Sequence, residues 1–376
     1  MDAEAVKTVE DIWWHGVRAV RGAEAVSKAI RRQQIAAPDR IIAVGKAASA
    51  MLEGAQAVYG TAIPALVVTK YGHATPLPAA QRDRVRVIEA AHPVPDENTL
   101  VAGVEILKEV QHMAPQSHLL MLVSGGASSL AELPEPGLSL AALQHENARL
   151  LGDGLDIHAM NARRRELSQI KGGKLLGHFA GARVTTLAIS DVEGDSLSVI
   201  GSGIGQAPDN HRFSFDPHIV ASNRIARTAC AARARTLGLA VRGNEETLYA
   251  DVHELAARLG PELRAAPAGL YIWGGEPTIQ LPPDPGQGGR NQALALALAR
   301  EISGLYGLTV LVAGSDGTDG PTDAAGGVVN GATWTDEAAR FQRQADSGRF
   351  LDARSALFRS GPTGTNVMDL VVALKT

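Results

Sequence analysis

Strand-length runs of apolar residues, each ending in small or polar residues, recur through the first half of the sequence. Because these runs are continuous rather than alternating, they indicate strands covered on both faces, as in parallel sheets. Helical patterns lie between them, so we predict an open α/β sheet whose ligands collect at the carboxyl ends of strands. The runs are RIIAVGKAASAML (40–52), PALVVTK (64–70), VRVIEA (85–90), LLMLVSGGASSL (119–130) and ARVTTLAISDVEGD (182–195). The helical patterns between and after these runs cover 97–113, 138–151 and 166–180.

A second block of strand and helix patterns follows in the last third of the chain. A chain of 376 residues is long enough for two domains, each with its own core. The block contains LYIWGGEPTIQL (270–281), a helix at 291–304, TVLVAG (309–314) and a closing strand LVVAL (370–374). The sequence therefore predicts two α/β domains.

The net charge and the cysteine content indicate which partners and which cellular compartment this protein can be expected to have. The net charge is −4 and the pI is near 6.3, so neither a nucleic-acid nor a membrane-surface partner is indicated. Cys230 is the only cysteine, which excludes an intramolecular disulfide and fits a reducing compartment. The N-terminus is unlike a secretory signal, and no apolar run reaches the ~18 residues of a membrane span. We expect a cytoplasmic protein.

A loop rich in glycine and aspartate follows the strand at 309–314. It carries Asp316, Asp319 and Asp323, and its glycines and proline argue against a helix. Carboxylates gathered at the end of a strand can hold Mg²⁺, which takes oxygen ligands. Alternatively, each aspartate bonds its own backbone in an Asx-turn. The loop by itself leaves both interpretations open.

The segment GQGGRNQ (286–292) has the composition of an anion-binding turn. Gly288 and Gly289 allow the backbone to present N–H groups, and Asn291 begins a predicted helix whose positive end faces the same way. Arg290 adds a guanidinium suited to a carboxylate or phosphate. A plain surface turn is the alternative.

Two further turns follow strands of the first domain. In VSGGASSL (123–130), Ser124, Gly125 and Gly126 form a phosphate-compatible turn, although glycines required only for tight packing would look the same. Lys46 lies at the strand-to-helix turn of VGKAASAM (44–51). A lysine at a helix start opposes the helix dipole, which hints at an anionic partner.

Charged residues in two other segments complete the set of candidates. Arg164 and Lys171 are seven residues apart, so both could face one ligand if their segment is helical; solvated side chains are the alternative. Asp191 and Asp195 lie in the loop after the run at 182–195. Anion-binding turns, basic side chains and paired acids together are the parts of a phosphoryl-transfer site. The chain has no Walker P-loop, no convincing GxGxxG after a strand and no GxSxG.

The ordered motifs resemble those of the class II glycerate 2-kinases, proteins with a MOFRL C-terminal domain that are often named hydroxypyruvate reductase. The similarity runs from about residue 10 to the C-terminus. The motifs are VGKAASAM, EAAHPVPDE, LVSGGASSL, NARRRELSQIKGGKL, AISDVEGD, WGGEPTI, GGRNQALALA, AGSDGTDGPTDAAGG and SGPTGTNVMDL.

The resemblance implies a kinase that uses ATP and Mg²⁺ to phosphorylate D-glycerate at its 2-hydroxyl, giving 2-phosphoglycerate. It implies a Rossmann-like α/β/α N-terminal domain (1–245) and a smaller α/β MOFRL-type domain (246–376), with the active site in the cleft between them. The partner is a small-molecule substrate, and both a monomer and a homodimer remain open.

The resemblance, together with the motifs, gives three groups of site residues. The catalytic residues are Lys46, Arg290 and Asp191. The nucleotide- or substrate-binding residues are Ser124, Gly125, Gly126, Arg164, Lys171, Gly288, Gly289 and Asn291. The metal ligands are Asp191, Asp195, Asp316 and Asp319.

Three alternatives to glycerate phosphorylation remain at this stage. One is a hydroxypyruvate or tartronate reductase, although it would need a dinucleotide site. Another is a kinase for a related sugar acid, since Glu166 and the stretch GSGIG (201–205) depart from the family pattern. The third is a protein that binds a metabolite without turnover.

Overall fold

The computed structural model describes residues 2–152 and 157–376. The helices in chain order are α1 Ala3–Arg18, α2 Gly22–Gln33, α3 Ala48–Tyr59, α4 Glu97–Gln111, α5 Ala127–Leu130, α6 Leu140–Gly152, α7 Ile157–Glu166, α8 Lys174–Gly177, α9 Asn223–Thr236, α10 Val252–Ala265, α11 Arg290–Glu301, α12 Ala338–Arg343 and α13 Ser347–Asp352.

The strands of the described residues form two sheets. The strands in chain order are β1 Arg40–Val44, β2 Ala65–Lys70, β3 Val85–Ala90, β4 His118–Val123, β5 Arg183–Ile189, β6 Ser214–Ala221, β7 Val241–Glu246, β8 Gly269–Gly275, β9 Leu308–Gly314, β10 Gly326–Asn330, β11 Leu357–Phe358 and β12 Asp369–Lys375. The first sheet has the order β3-β2-β1-β4-β5-β6 and the second has the order β11-β10-β9-β12-β8-β7.

The first sheet is parallel throughout. Its strand order is that of the doubly wound Rossmann-like fold. The central strands β1 and β4 are buried along almost their whole length, because helices cover both faces of such a sheet. The predicted Rossmann-like α/β architecture is confirmed. The continuous apolar runs correctly located β1 to β5.

The second sheet is mixed. Strand β12 is antiparallel to both of its neighbours, β8 and β9, and β7 pairs parallel with β8. Helices α10 and α11 pack on one face in a core that includes Leu255, Leu259, Trp273 and Leu294. The prediction that the second domain is of the α/β class is therefore confirmed.

The chain divides into two compact units that do not follow the predicted boundary at 245/246. The continuous unit is Arg21–Ser222, and the split unit combines Met1–Val20 with Asn223–Thr376. Helix α1 belongs to the split unit because Ile12 and Trp13 are fully buried there. The Trp13 ring meets Phe358 edge to face, with 4.9 Å between ring centroids. A contact between residues so distant in sequence leaves no signal in local patterns.

The helix predicted over 166–180 is interrupted. Helix α7 ends at Glu166, and only the short helix α8 follows. Gly172 and Gly173 separate the two, with φ angles of +61° and +85°. Left-handed backbone at two consecutive residues cannot continue a right-handed helix. Within residues 2–152 and 157–376, no helix combines the length and the apolar character needed to cross a membrane.

The packing of α1 predicts that Trp13→Ala destabilises the split unit. Removing a fully buried indole should lower its free energy of unfolding by about 3–5 kcal/mol, because the loss of apolar contacts adds to the cost of the cavity. Urea denaturation followed by circular dichroism measures this. Trp14→Ala is the matched control, since Trp14 is only half-buried. Equal losses from the two substitutions would contradict the assignment of α1 to that core.

Candidate functional site

In the continuous unit, the turn after β1 is hydrogen-bonded to the turn after β4. The backbone N–H of Lys46 donates to the Gly125 carbonyl at 2.9 Å, and the N–H of Ala47 donates to Ser124 Oγ at 3.1 Å. The N–H of Ser124 donates back to the Val44 carbonyl at 3.0 Å. In the order β3-β2-β1-β4-β5-β6, the connections diverge at β1 and β4, which is where such sheets bind ligands.

Three predicted or candidate side chains border this joined turn. A methyl group at Gly125 would collide with the Asp191 carboxylate, so the carboxylate lies directly against the glycine. A Cβ at Gly126 would lie 3.0 Å from His92 Cδ2 and 3.2 Å from Lys46 Cε. The sequence-predicted residues Lys46, Gly125, Gly126 and Asp191 are therefore brought together. His92 joins them.

The edge around His92 is rich in positive charge. Burial, with added repulsion of the imidazolium by Lys46, Lys70 and His73, lowers the pKa of His92 to about 4. Among the described residues, Lys46 forms no salt bridge that would neutralise it. An arrangement of this kind attracts polyanions and holds a neutral imidazole beside them.

Sequence reasoning missed Lys70, His73 and His92 as residues of this edge. Lys70 ends β2, which pairs with β1, and His92 follows β3, the next strand outward, so both come from the carboxyl ends of strands on the same side of β1. The position of Lys70 at the end of the run 64–70 was a usable signal. Many isolated basic residues follow strands, so they cannot be selected as site residues until the order of the strands in the sheet is known.

The candidates Arg164 and Lys171 have different environments. Lys171 is 3% exposed and forms a salt bridge with Glu132, which is 2% exposed. Ser168 donates a further hydrogen bond to Glu132. Burial lowers the pKa of Lys171, and Glu132 opposes this shift. Lys171 is thus committed to a buried ion pair, which does not support its predicted contact with substrate.

Arg164 remains a ligand candidate. Its side chain is half-buried and has no salt-bridge partner within the part of the chain that the structure describes. Burial lowers the pKa of its guanidinium, with Glu132 acting in the opposite direction. The two-turn helical spacing that paired it with Lys171 does not exist, because α7 ends before Lys171 is reached.

In the split unit, one edge of the sheet gathers a set of charged side chains. Asp369 begins β12 and lies opposite Gly275 at the end of β8 and Gly314 at the end of β9. Arg290, the first residue of α11, donates from Nε to Asp369 at 2.8 Å and from Nη1 to Glu276 at 2.8 Å. Sequence reasoning did not select Asp369 or Glu276.

The pKa values of this cluster are shifted. Burial raises the pKa of Asp369 to about 7, although Arg290 and a hydrogen bond from Asn291 lower it in part. Burial by itself would lower the pKa of Arg290, but Asp369 and Glu276 outweigh this effect and raise it. Arg290 is therefore charged and fixed in direction, with Nη2 outside both of these hydrogen bonds.

The N-terminus of α11 is occupied by an aspartate of the chain itself. Asp319 accepts the backbone N–H of Asn291 at 3.0 Å and that of Gln292 at 2.8 Å, one on each carboxylate oxygen. A Cβ at Gly289 would collide with this carboxylate, and one at Gly288 would lie 2.6 Å from Ser347 Oγ. These glycines are explained by close packing.

The capping role of Asp319 gives several of the predicted site residues a structural role. Both of its carboxylate oxygens bond the helix, so the arrangement does not support metal binding by Asp319. The N–H groups at 291 and 292 are satisfied by Asp319, so the turn 286–292 does not present them to a ligand. Gly288, Gly289 and Asn291 therefore have structural explanations in place of the predicted ligand contacts.

The other aspartates of the loop also have partners within the chain. Asp316 accepts from Thr318 N at 3.0 Å, an Asx-turn, and Asp323 accepts from Arg359 Nε at 3.0 Å. Asp195 lies in a turn at 193–195 with a φ of +53°. Within residues 2–152 and 157–376, no three His, Cys, Asp or Glu side chains form a group able to hold a metal ion. The Asx-turn interpretation fits Asp316 better than the metal interpretation.

The comparisons with known families agree with this architecture. Residues 8–236 match the family described as "Domain of unknown function (DUF4147)", and residues 269–369 match the MOFRL family. The first matched range ends before the predicted boundary at 245/246, and the second begins after it. The physical units differ because residues 8–20 and 223–236 pack with the C-terminal part.

Two curated relatives are similar over most of the chain. The D-glycerate 2-kinase of Thermotoga maritima is 34% identical, covering 99% of each chain. A protein of Agrobacterium vitis named provisionally as a hydroxypyruvate reductase is 35% identical, covering 88% of this chain and 97% of its own. The crystal structure of a glycerate kinase from T. maritima matches with a TM-score of 0.89 and 32% identity, over 99% of this chain and 100% of that one.

The cap on α11 predicts that Asp319→Ala destabilises the split unit by about 1–2 kcal/mol. The substitution leaves two N–H groups of the first helical turn without their acceptor. Urea denaturation measures the change. Asp316→Ala is the control and should cost less than about 1 kcal/mol, because it removes only a local turn contact. An Asp319 variant as stable as the wild type would contradict the capping role.

Asp369 predicts a pH dependence of stability. Its pKa of about 7 in the folded protein lies above the ordinary value of 3.8, so the folded state favours the protonated acid. The stability from this group is fully present below pH ~4 and is lost as the pH rises towards 7, by at most about 1.4 kcal/mol per pH unit. Asp369→Asn should remove this decline, as measured by urea denaturation between pH 5 and 7.5. Parallel declines in the two proteins would contradict it.

Proposed function

Because the chain belongs to the DUF4147 family over residues 8–236 and matches the MOFRL family over residues 269–369, we propose that it is a glycerate 2-kinase. It transfers the γ-phosphoryl group of ATP to the 2-hydroxyl of D-glycerate, with Mg²⁺. The names of the T. maritima relatives support the substrate. The observation in this chain that carries the proposal is the joined turn at Lys46 and residues 124–126, surrounded by positive charge.

Lys46 has the role of neutralising charge on the transferring phosphoryl group. It lies against Gly126, it acts on His92 together with Lys70 and His73, and among the described residues no carboxylate is salt-bridged to it. Phosphoryl transfer needs positioning and charge stabilisation more than covalent chemistry by the protein. Preorganised positive charge where negative charge builds up supplies that stabilisation.

Asp191 is the acid that we propose for the metal. Mg²⁺ in kinases is commonly held by one or two carboxylates together with substrate phosphates and water, so a single well-placed carboxylate fits better than a cage of acids. Asp191 borders the joined turn, and no three-acid group occurs in the described residues. When bound, Mg²⁺ neutralises part of the charge on the ATP phosphates.

His92 is a poor general base at neutral pH. Its pKa of about 4 keeps the imidazole neutral but gives it little affinity for a proton. It can still hydrogen-bond a substrate oxygen without adding charge. We therefore assign His92 no role as a base. Asp191, which borders the same turn, is proposed to orient the attacking hydroxyl or to hold the metal.

Arg290 is proposed to bind the carboxylate of glycerate. Its Nε and Nη1 atoms are held by Asp369 and Glu276, which fixes the guanidinium plane and leaves Nη2 for a ligand. Its side chain is 34% exposed, so a small anion can reach it. Asp369 acts here by positioning Arg290.

The role of Lys46 predicts that Lys46→Ala lowers kcat by roughly 10²–10³-fold, the usual cost of losing one group that stabilises charge in the transition state. Coupled ADP release with D-glycerate measures the rate, and phosphorus NMR of the product fixes the phosphorylated position. Lys28→Ala, on the exposed face of α2, is the matched control and should retain wild-type activity.

Two outcomes would refute the proposal. Near wild-type turnover by the Lys46→Ala variant would contradict the proposed role of Lys46. Oxidation of a nicotinamide cofactor with hydroxypyruvate, with no ADP release from any 2-hydroxy acid, would instead favour the reductase after which the A. vitis relative is named. A screen of longer sugar acids in the same ADP assay separates glycerate from related acceptors.

A further inference from the structure

A cavity of about 230 Å³ lies in the continuous unit beside α3. Its floor includes Val67 of β2 and Val87 of β3, which are paired in register. Leu52 of α3 forms part of one wall. Pro76, Leu77 and Pro78 line it from the connection between β2 and β3. The lining is therefore apolar on the sheet side and largely apolar on the loop side, whereas α3 contributes Ser49, Glu53 and Gln56 beside Leu52.

Among the polar residues of the lining, two glutamines are hydrogen-bonded to each other. Gln56 Nε2 donates to Gln81 Oε1 at 3.2 Å. This bond leaves Gln56 Oε1 as an acceptor and the Gln81 amide as a donor, and neither is used by another hydrogen bond among the described residues. Adenine offers the matching pattern of an amino donor beside a ring-nitrogen acceptor, which amide side chains recognise.

The cavity extends along α3 from the phosphate-binding edge. Ser49, which lines it, is only three residues after Lys46, and its Oγ accepts the N–H of Thr75 at 3.4 Å. From Ser49 to Gln56 the helix rises by about 10 Å. A ligand with phosphates at Lys46 can therefore extend along the helix to the glutamine pair. The cavity is smaller than the ~300–1,000 Å³ of complete ligand sites, so it suits one ring system rather than a whole nucleotide.

We propose that this cavity, lined by Leu52, Val67, Val87 and Leu77 and carrying Gln56 and Gln81, binds the adenine ring of ATP. The inference rests on the proposed function, since it assumes that the phosphates bind at Lys46. It commits to a purine with adenine's donor and acceptor pattern. Guanine offers an acceptor and a donor in the reverse positions, so the cavity should select against it.

Calorimetric titration of the full chain with ADP, GDP and inorganic tripolyphosphate tests the proposal. Gln81→Glu replaces the donor by an acceptor, and Gln56→Leu removes the acceptor without adding charge. Each should weaken ADP binding by about tenfold and reduce the preference for ADP over GDP. Gln56→Leu should leave tripolyphosphate binding unchanged. Gln111→Glu, exposed on α4, is the control for added charge and should behave as the wild type.

The outcomes separate the base site from the proposed activity. If the wild type binds ADP and both glutamine variants bind it equally well, the base site is wrong while the kinase proposal stands. If Gln56→Leu weakens the binding of ADP and of tripolyphosphate to the same extent, the proposed base site is also wrong. If the variants lose ADP selectively but the wild type releases no ADP with glycerate, the base site stands and the acceptor proposal fails.

Discussion

The hydrogen bonds that join the turn after β1 to the turn after β4 are the constraint on which the candidate site depends. Parallel pairing brings Val44 and Val123 level with each other, and the bonds from Lys46 and Ala47 then tie the two turns together. The Lys46 stem is directed over Gly126 as a consequence. A side chain on either glycine of the turn would displace Asp191 or Lys46. The backbone, more than any single side chain, therefore sets the geometry.

The two sheet edges that carry the candidate residues use charge in opposite ways. At the edge of the continuous unit, Lys46, Lys70 and His73 act together on His92, and Lys46 has no salt-bridge partner in the described chain. At the edge of the split unit, Arg290 is balanced by two carboxylates, and the α11 N-terminus is capped by Asp319. The first edge is suited to a polyphosphate. The second is suited to holding one guanidinium in a fixed direction.

For several predicted site residues, the structure shows partners within the chain that the motifs did not indicate. The turn 286–292 does precede a helix that presents N–H groups, but Asp319, about 28 residues later, already satisfies two of them. The sequence predicts Lys171 as an anion ligand, but in the structure it forms a buried salt bridge with Glu132. In each case the partner is distant in sequence, and local patterns do not contain it. Asp369 was missed for the same reason.

The sequence by itself determined the parallel α/β sheet, the order of its first strands along the chain and the turns that carry Lys46, Gly125 and Asp191. These follow from continuous apolar runs and from the residues that end them, which are local properties. Only the tertiary structure decided that α1 packs with the C-terminal part, that His92 joins Lys46, and which charges are paired. Those outcomes depend on strand order and on side-chain burial, because a charge is neutralised by whichever group the fold brings within hydrogen-bond distance.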